Sequence, residues 1–359
     1  MSGTSTNSTH VGWVSGPDTR GTTGLLWSCL FTIFTCTWSA LHINIPARSD
    51  SEWKKFGSKF KWMAAGVVAP EYITVIAMRE RVVVKSLRKS LNGVESGETR
   101  ISLVMAHFIA MGGFELVPKD NEQHRTRLSE GTFRSALDAK FLTMPKFSDE
   151  DILDRSKADW LLKFISIVQI VWLIAQIIGR SIQHLSITTI ELFAAGIVGC
   201  TILNYWLWWS KPLDVMRSIA IEVNFTVKEL DKKLGRECDK VAFNNFPALT
   251  DKDYLLPVLS TLILGLCHLC AWNFLFPSFE ELILWRIASI CVVVFPLLAV
   301  LLAASPKRNR NKGAALSGVF IMAYCLLRAY LLVEAFVGLR SVPEDVYQDI
   351  DWNKFIPHV

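Results

Sequence analysis

Six runs of about 20 mainly apolar residues limit what this chain can fold into: 24–45, 160–179, 187–209, 254–275, 282–304 and 314–338. A hydrocarbon layer about 30 Å thick is crossed by roughly 20 residues of helix, which satisfies its own backbone polar groups there. Composition agrees, since 51% of the 359 residues are hydrophobic, 20% are charged, and the mean hydropathy is +0.31. That balance excludes a disordered chain, a collagen-like repeat and a soluble nucleic-acid binder, and the length excludes a disulfide-stapled peptide. The expected fold class is all-α, a polytopic helical membrane protein.

Two further segments, 62–78 and 101–117, are only 17 residues long. The first contains Pro70-Glu71; the second contains His107, Gly112-Gly113 and Glu115. Lys and Arg collect in short cytoplasmic loops, which arbitrates between topologies. If neither short segment crosses, the stretches 46–61, 79–100, 118–159, 210–253 and 305–313 are cytoplasmic and hold 31 of the 38 Lys and Arg, while the outer stretches hold four. If both crossed, Arg79, Arg81, Lys85, Arg88, Lys89 and Arg100 would lie outside. The expectation is therefore six full spans plus two short re-entrant or interfacial helices at the cytoplasmic face, with eight spans as the alternative. In either case both termini are lumenal or extracellular.

The implied organisation is an outer tail 1–23, a first transmembrane helix 24–45, a cytoplasmic insertion 46–159, a five-helix bundle 160–338 with a cytoplasmic loop 210–253, and an outer tail 339–359. The polar first 22 residues and the long apolar run after them suit a signal anchor rather than a cleaved leader. Seven of the eight cysteines fall in expected spans, where they behave as small apolar residues. Cys267-His268-Leu269-Cys270 lacks a second ligand pair at zinc spacing, so no metal site is expected, and no motif for a cofactor is present. The acidic run Asp149, Glu150, Asp151 and Asp154 reads either as a magnesium-holding cluster or, better, as a helix start capped by Ser148. Residues 213–240 alternate apolar and basic positions and suit an amphipathic helix lying on an anionic leaflet.

Ionisable groups at membrane depth carry the functional question, because each costs about 2.5–3.5 kcal/mol on insertion scales unless it finds a partner. Gln176, His268 and Arg328 fall in the outer half of the expected bilayer, with Glu191 and Glu334 nearer its edge. Gln169, Gln176 and Arg180 share one helix face. Together they suggest a polar pocket open to the lumenal side, with Arg328 paired to Glu191 or Glu334; interhelical fastening is the competing reading. On the opposite face, Glu71 and His107 lie in broken helices of the kind that frame ligand sites. Glu71, His107 and Glu191 are the candidate catalytic groups, and Gln176, Arg180, His268, Arg328 and Glu334 the candidate ligand or ion-pair groups. Ala195 and Gly199, four apart, should allow close helix packing.

The stretches LLWSCLFTIFTCTWSALHINIP (25–46), APE (69–71), AHFIAMGGF (106–114), QIVWLIAQIIGR (169–180), YWLWWSKPLDV (205–215) and RAYLLVEAFVGLRSVPEDVYQDIDWNKFIPHV (328–359) resemble a family of uncharacterised fungal multi-pass membrane proteins. The resemblance implies importance for Glu71, His107, Gly112, Gly113, Arg180, Glu191, Arg328, Glu334, Trp352, Pro357 and His358, without assigning roles. The chain departs from the pattern at Leu185-Ser186, where Leu-Pro is expected. Three functions follow as expectations: an accessory component of a membrane-linked or specialised-metabolite pathway, a membrane-embedded enzyme acting on a lipophilic intermediate, or a transporter. The partners implied are the lipid bilayer and a lipophilic small molecule, with no nucleic acid, in the endoplasmic reticulum or plasma membrane.

The topology predicts a glycan on Asn7 of Asn7-Ser8-Thr9 and none on Asn224 of Asn224-Phe225-Thr226. Endoglycosidase treatment should shift the mobility of the wild type and of Asn224→Gln equally, and leave Asn7→Gln unmoved. A sugar on Asn224 would invert the map.

Overall fold

The computed structural model describes residues 10–16, 20–94, 100–121, 123–140, 142–144, 147–156, 159–234, 249, 251–304 and 310–355. In chain order these form β1 (His10–Val11), α1 (Thr22–Ala40), α2 (Glu52–Val68), α3 (Pro70–Val94), α4 (Leu103–Ala110), β2 (Phe114–Pro118), β3 (Thr126–Arg127), α5 (Glu130–Asp138) and α6 (Asp149–Leu153). They continue with α7 (Asp159–Ile182), α8 (Thr189–Leu207), β4 (Ile219–Val223), α9 (Val227–Leu234), α10 (Leu255–Leu269), α11 (Phe279–Ala304), α12 (Arg310–Val337) and β5 (Val342–Pro343). Asn7 lies outside the described residues, while Asn224 is exposed in the turn after β4.

Among the described residues, five helical stretches are long and apolar enough to cross a membrane: Thr22–Ala40, Trp160–Ile182, Thr189–Leu207, Phe279–Leu301 and Ala315–Arg340. The sixth expected span, 254–275, is a 15-residue helix, α10, followed by turns. At 1.5 Å per residue it reaches only about 22 Å. The α7 helix shows the lipid-facing pattern plainly: Trp160, Phe164, Val171 and Ile178 are exposed, while Ile170, Leu173 and Arg180 are buried.

The bundle has two distinct ends. At one, both tails meet the α7–α8 and α10–α11 connections: β1 pairs antiparallel with β5, and Arg180 donates to the carbonyls of Asp345, Val346 and Gln348. At the other, Ser39 of α1, Ser166 of α7 and Tyr205 of α8 join hydroxyls at 2.6 Å. A small sheet and its helices sit beyond this second end around their own apolar core, in which Phe108, Phe114, Phe133 and Leu230 are buried.

The segment 62–78 is not one helix but is broken between α2 and α3. It is the tip of a helical hairpin. Pro70 has no N–H to continue α2 and drives the residue before it out of the helical region, and Ala69 accordingly adopts φ −139°, ψ 70°. The α2 helix starts beside the sheet end, where Lys59 bonds Asp214 at 2.5 Å, and its last carbonyls meet Arg328 inside the bundle. The α3 helix returns to the sheet end, where Glu80 meets Trp208.

The segment 101–117 corrects the all-α expectation. Its first part is α4, capped by Ser102, but after Gly112, whose φ of +83° favours glycine, the chain forms β2. All five residues of β2 are buried as the centre of a three-stranded sheet, antiparallel to β3 and parallel to β4. The expected amphipathic helix 213–240 is likewise replaced by the strand β4 and the short helix α9, with 235–240 outside the described residues. A spacing of four, as between Ile219 and Val223, fits one face of a strand as well as one face of a helix. The acidic run is a helix start: Ser148 and Asp151 form a reciprocal capping box on α6.

Close packing in α8 uses Gly199, as expected, and also Gly196: a Cβ on Gly199 would lie 2.4 Å from Ile263 of α10, and one on Gly196 3.0 Å from Leu264. At Gly113 a Cβ would meet the Phe108 carbonyl oxygen at 2.4 Å, whereas at Gly131 it would meet nothing. Gly113→Ala should therefore cost about 1–3 kcal/mol by overpacking. Gly131→Ala, in a helix, should be neutral or stabilising by up to about 1 kcal/mol. Thermal unfolding of the two variants in detergent checks the contrast.

Candidate functional site

The candidate groups, expected in a lumenal pocket and on the opposite face, are divided among three places. The deepest is the hairpin tip. Arg328, 1% exposed, donates from Nε to the Val68 carbonyl at 2.9 Å and from Nη2 to that of Val67 at 3.3 Å. Its Nη1 meets His268 Nε2, and its guanidinium lies 4.6 Å from the centroid of the Phe193 ring. Because arginine can only donate, His268 accepts at Nε2 and carries its proton on Nδ1, which has no hydrogen-bond partner. The His268 ring is held edge-on to Trp285 at 5.7 Å, and Trp285 donates to the His268 carbonyl. Glu71, at the first turn of α3, is buried near Arg328 and Tyr324, with Oε2 unpartnered.

The second place is at the tail end. The anticipated ion pair of Arg328 with Glu191 or Glu334 does not form. Glu191 instead accepts from the backbone N–H and hydroxyl of Thr188 at 2.9 and 2.8 Å, closing a capping box on α8, and pairs with Arg20. Arg180 spends its guanidinium on the carbonyls of Ser186 and the C-terminal tail. The turn that the Ser186 departure put in question is thus made without proline, with Asp345 accepting from the Ser186 N–H and hydroxyl. Gln176, Arg180 and Glu191 line a cavity of about 360 Å³ with Arg20, Trp172 and Trp352, so three of the predicted groups do converge. Glu334 stands apart; it is 5% exposed, and its Oε1 has no hydrogen-bond partner.

The third place, at the sheet end, contains His107 and the residues that sequence reasoning missed. Glu80, Lys211 and His107 are all at most 1% exposed. Lys211 Nζ lies 2.8 Å from both carboxylate oxygens of Glu80 and 3.1 Å from Asn44 Oδ1, and Trp208 Nε1 donates to Glu80 at 2.8 Å. His107 Nδ1 is 3.6 Å from Glu80 Oε1. Burial raises the Glu80 carboxyl, but Lys211 and then His107 outweigh it and hold it down to about 2. Burial pushes Lys211 down against the pull of Glu80, and burial likewise lowers His107. A signal was present: Glu80 continues the helical row of Ile73, Ile76, Ala77, Val84, Leu87 and Leu91, all buried on α3.

Chemically, the first and third places hold Arg328, Lys211 and Glu80 bonded to the protein itself, with Glu71 Oε2 left unpartnered, whereas the tail-end cavity offers space. Among the described residues no group of three or more His, Cys, Asp and Glu side chains could hold a metal ion. The seven described cysteines are free thiols, with Cys267 half-buried and Cys270 exposed.

A helical chain with five stretches fit to cross a membrane, a hairpin inserted among them and a small sheet at one end defines the class of protein. Residues 1–232 match the model of a family of unknown function (DUF8562), and the chain belongs to that family. No curated protein and no solved structure matches it.

Removing one partner of a buried ion pair strands the other, so Lys211→Met should cost about 3–5 kcal/mol, and adding Glu80→Leu should recover most of it. With the folded Glu80 carboxyl near 2 against an ordinary 4.5, its contribution is present above pH 4.5 and is lost as pH falls toward 2. Thermal unfolding between pH 5 and pH 3 should fall more steeply for the wild type than for the double variant.

Proposed function

We propose that this protein is an accessory, non-catalytic multi-pass membrane component, serving a membrane-linked pathway of the specialised-metabolite kind in a fungal endoplasmic reticulum or plasma membrane. In this reading both tails are lumenal or extracellular, and the α2–α3 hairpin enters from the cytosolic side and returns to it. The observation that supports it is where the buried charges spend their bonds. Arg328 and Arg180 are committed to backbone carbonyls, Glu191 to a helix cap and Arg20, and Glu80 to Lys211. Groups occupied in this way hold the fold: Arg180 and Glu191 border the tail-end cavity, but their polar atoms are taken up by backbone carbonyls, Thr188 and Arg20 rather than turned to a substrate as a general acid or base would be.

A second reading, a protein that binds or transforms a lipophilic small molecule, draws on the tail-end cavity of about 360 Å³ and on the unpartnered oxygen of Glu71. The size falls within the range of small-molecule pockets. Trp172 and Trp352 give it an aromatic wall, and Gln176 a polar one.

Complementation of a deletion strain separates the two. Glu71→Gln, Glu191→Gln and Gln176→Leu, matched for protein abundance, should each restore the wild-type metabolite profile. An acid or base role would instead lower product formation by about 10²- to 10⁴-fold in Glu71→Gln or Glu191→Gln, with an intermediate accumulating. That outcome would replace the accessory reading with the enzymatic one.

A further inference from the structure

The chain's positive charge is concentrated on one element. Between residues 48 and 89 there are ten basic and four acidic residues, a balance of +6, whereas the whole chain carries +5. Everything outside the α2–α3 hairpin and its lead-in is therefore slightly acidic in sum. The same hairpin shows large apolar side chains to the surroundings: Trp53 is 84% exposed, Phe56 52% and Phe60 50%, all on α2. Lys54 and Lys61 are exposed beside them, and the ion pairs of Lys54 with Asp50 and of Lys55 with Glu52, both 2.7 Å, leave these ammonium groups at the surface. Aromatic rings and ammonium groups side by side on one exposed helix face match the headgroup layer of an anionic leaflet, where rings sit among glycerol groups and each Lys gains from nearby phosphates.

Continuity with α1 fixes the orientation. Phe34 and Trp38 of α1 are 5.8 Å apart between centroids, Trp38 and Phe56 are 5.6 Å apart, and Phe56 and Phe60 are 6.3 Å apart. This ladder leads from the exposed face of a helix long enough to cross a bilayer onto the outer face of α2. At its corner lies a cavity of about 220 Å³ lined by Trp38, Asn44, Lys55, Phe56, Lys59 and Asp214. Lys59 sits 4.6 Å from the centroid of the Trp38 ring. We propose that α2 and the end of α1 form a docking surface for anionic phospholipid, with rings in the acyl–headgroup boundary and the lysines facing lipid phosphates. This assigns to the hairpin the leaflet contact that the sequence pattern had placed in residues 213–240.

The test uses full-length protein in nanodiscs of phosphatidylcholine containing a minor share of phosphatidylserine. After transfer to detergent, retained lipid is quantified by mass spectrometry. The wild type should enrich phosphatidylserine over its bulk share several-fold, by about tenfold at most, with the enrichment falling as salt rises to about 1 M. Lys54→Gln/Lys55→Gln/Lys61→Gln should return retained lipid to the bulk ratio, while the matching Lys→Arg variant keeps the enrichment, which separates loss of charge from loss of fold. A bulk ratio in the wild type, enrichment indifferent to salt, or enrichment unchanged in the Gln variant would each overturn the proposal. So would displacement by millimolar soluble glycerophosphoserine, which would identify a headgroup pocket rather than a leaflet-docking surface.

Discussion

The guanidinium of Arg328 is the fastening on which the rest of the bundle depends. A helix that ends inside a protein leaves its last carbonyls unpaired, and Pro70 cannot donate to them. Arg328 supplies the missing donors to Val67 and Val68, so a chain reversal that would otherwise leave bare carbonyls becomes stable there. The arginine is in turn stabilised by Phe193 beneath it and by the neutral His268 beside it. Apolar packing of Ile73, Ile76 and Ala77 against Leu41, Leu207 and Trp208 adds to this contact in seating α3.

The opposite end needs its own fastening, because α3 must leave the bundle along a fixed path. The Glu80–Lys211 pair supplies it, joining α3 to the residues just beyond α8 while Trp208 and Asn44 take up further hydrogen bonds. A buried pair of this kind adds little net stability but penalises any arrangement that separates the charges. It therefore acts on register: α3 can neither slide nor rotate without exposing Glu80 to apolar neighbours such as Ile76 and Val84.

Much of this architecture was legible in the sequence, and the failures have specific causes. Length and hydropathy located the five long apolar helices, and the proline at 70 marked the break inside 62–78. The α10 helix was overextended because hydropathy continues through Cys270, Ala271 and Trp272 although the backbone there has turned. The strand β2 was hidden because a fully buried central strand lacks alternation and resembles a piece of buried helix. Burial of the polar groups was more legible than their partners. Arg328 and Glu191 are both buried, as depth implied, yet each bonds to groups that carry no sequence mark of pairing: backbone carbonyls for one, a capping threonine and Arg20 for the other.

Chain order makes these two fastenings unequal. Glu80 and Lys211 both lie within residues 1–232, the part matched by the family model, so that contact can close once α8 and the residues beyond it exist. The hairpin tip and Arg328 are 260 residues apart, and the strand pair β1–β5 and the bond from Thr22 to Tyr347 span still longer separations. Until α12 is made, the tip carbonyls and Glu71 lack their cation, and the cost of holding them among apolar helices is uncompensated. The final position of the hairpin is thus tied to α12, through the bonds from Arg328 to the tip carbonyls.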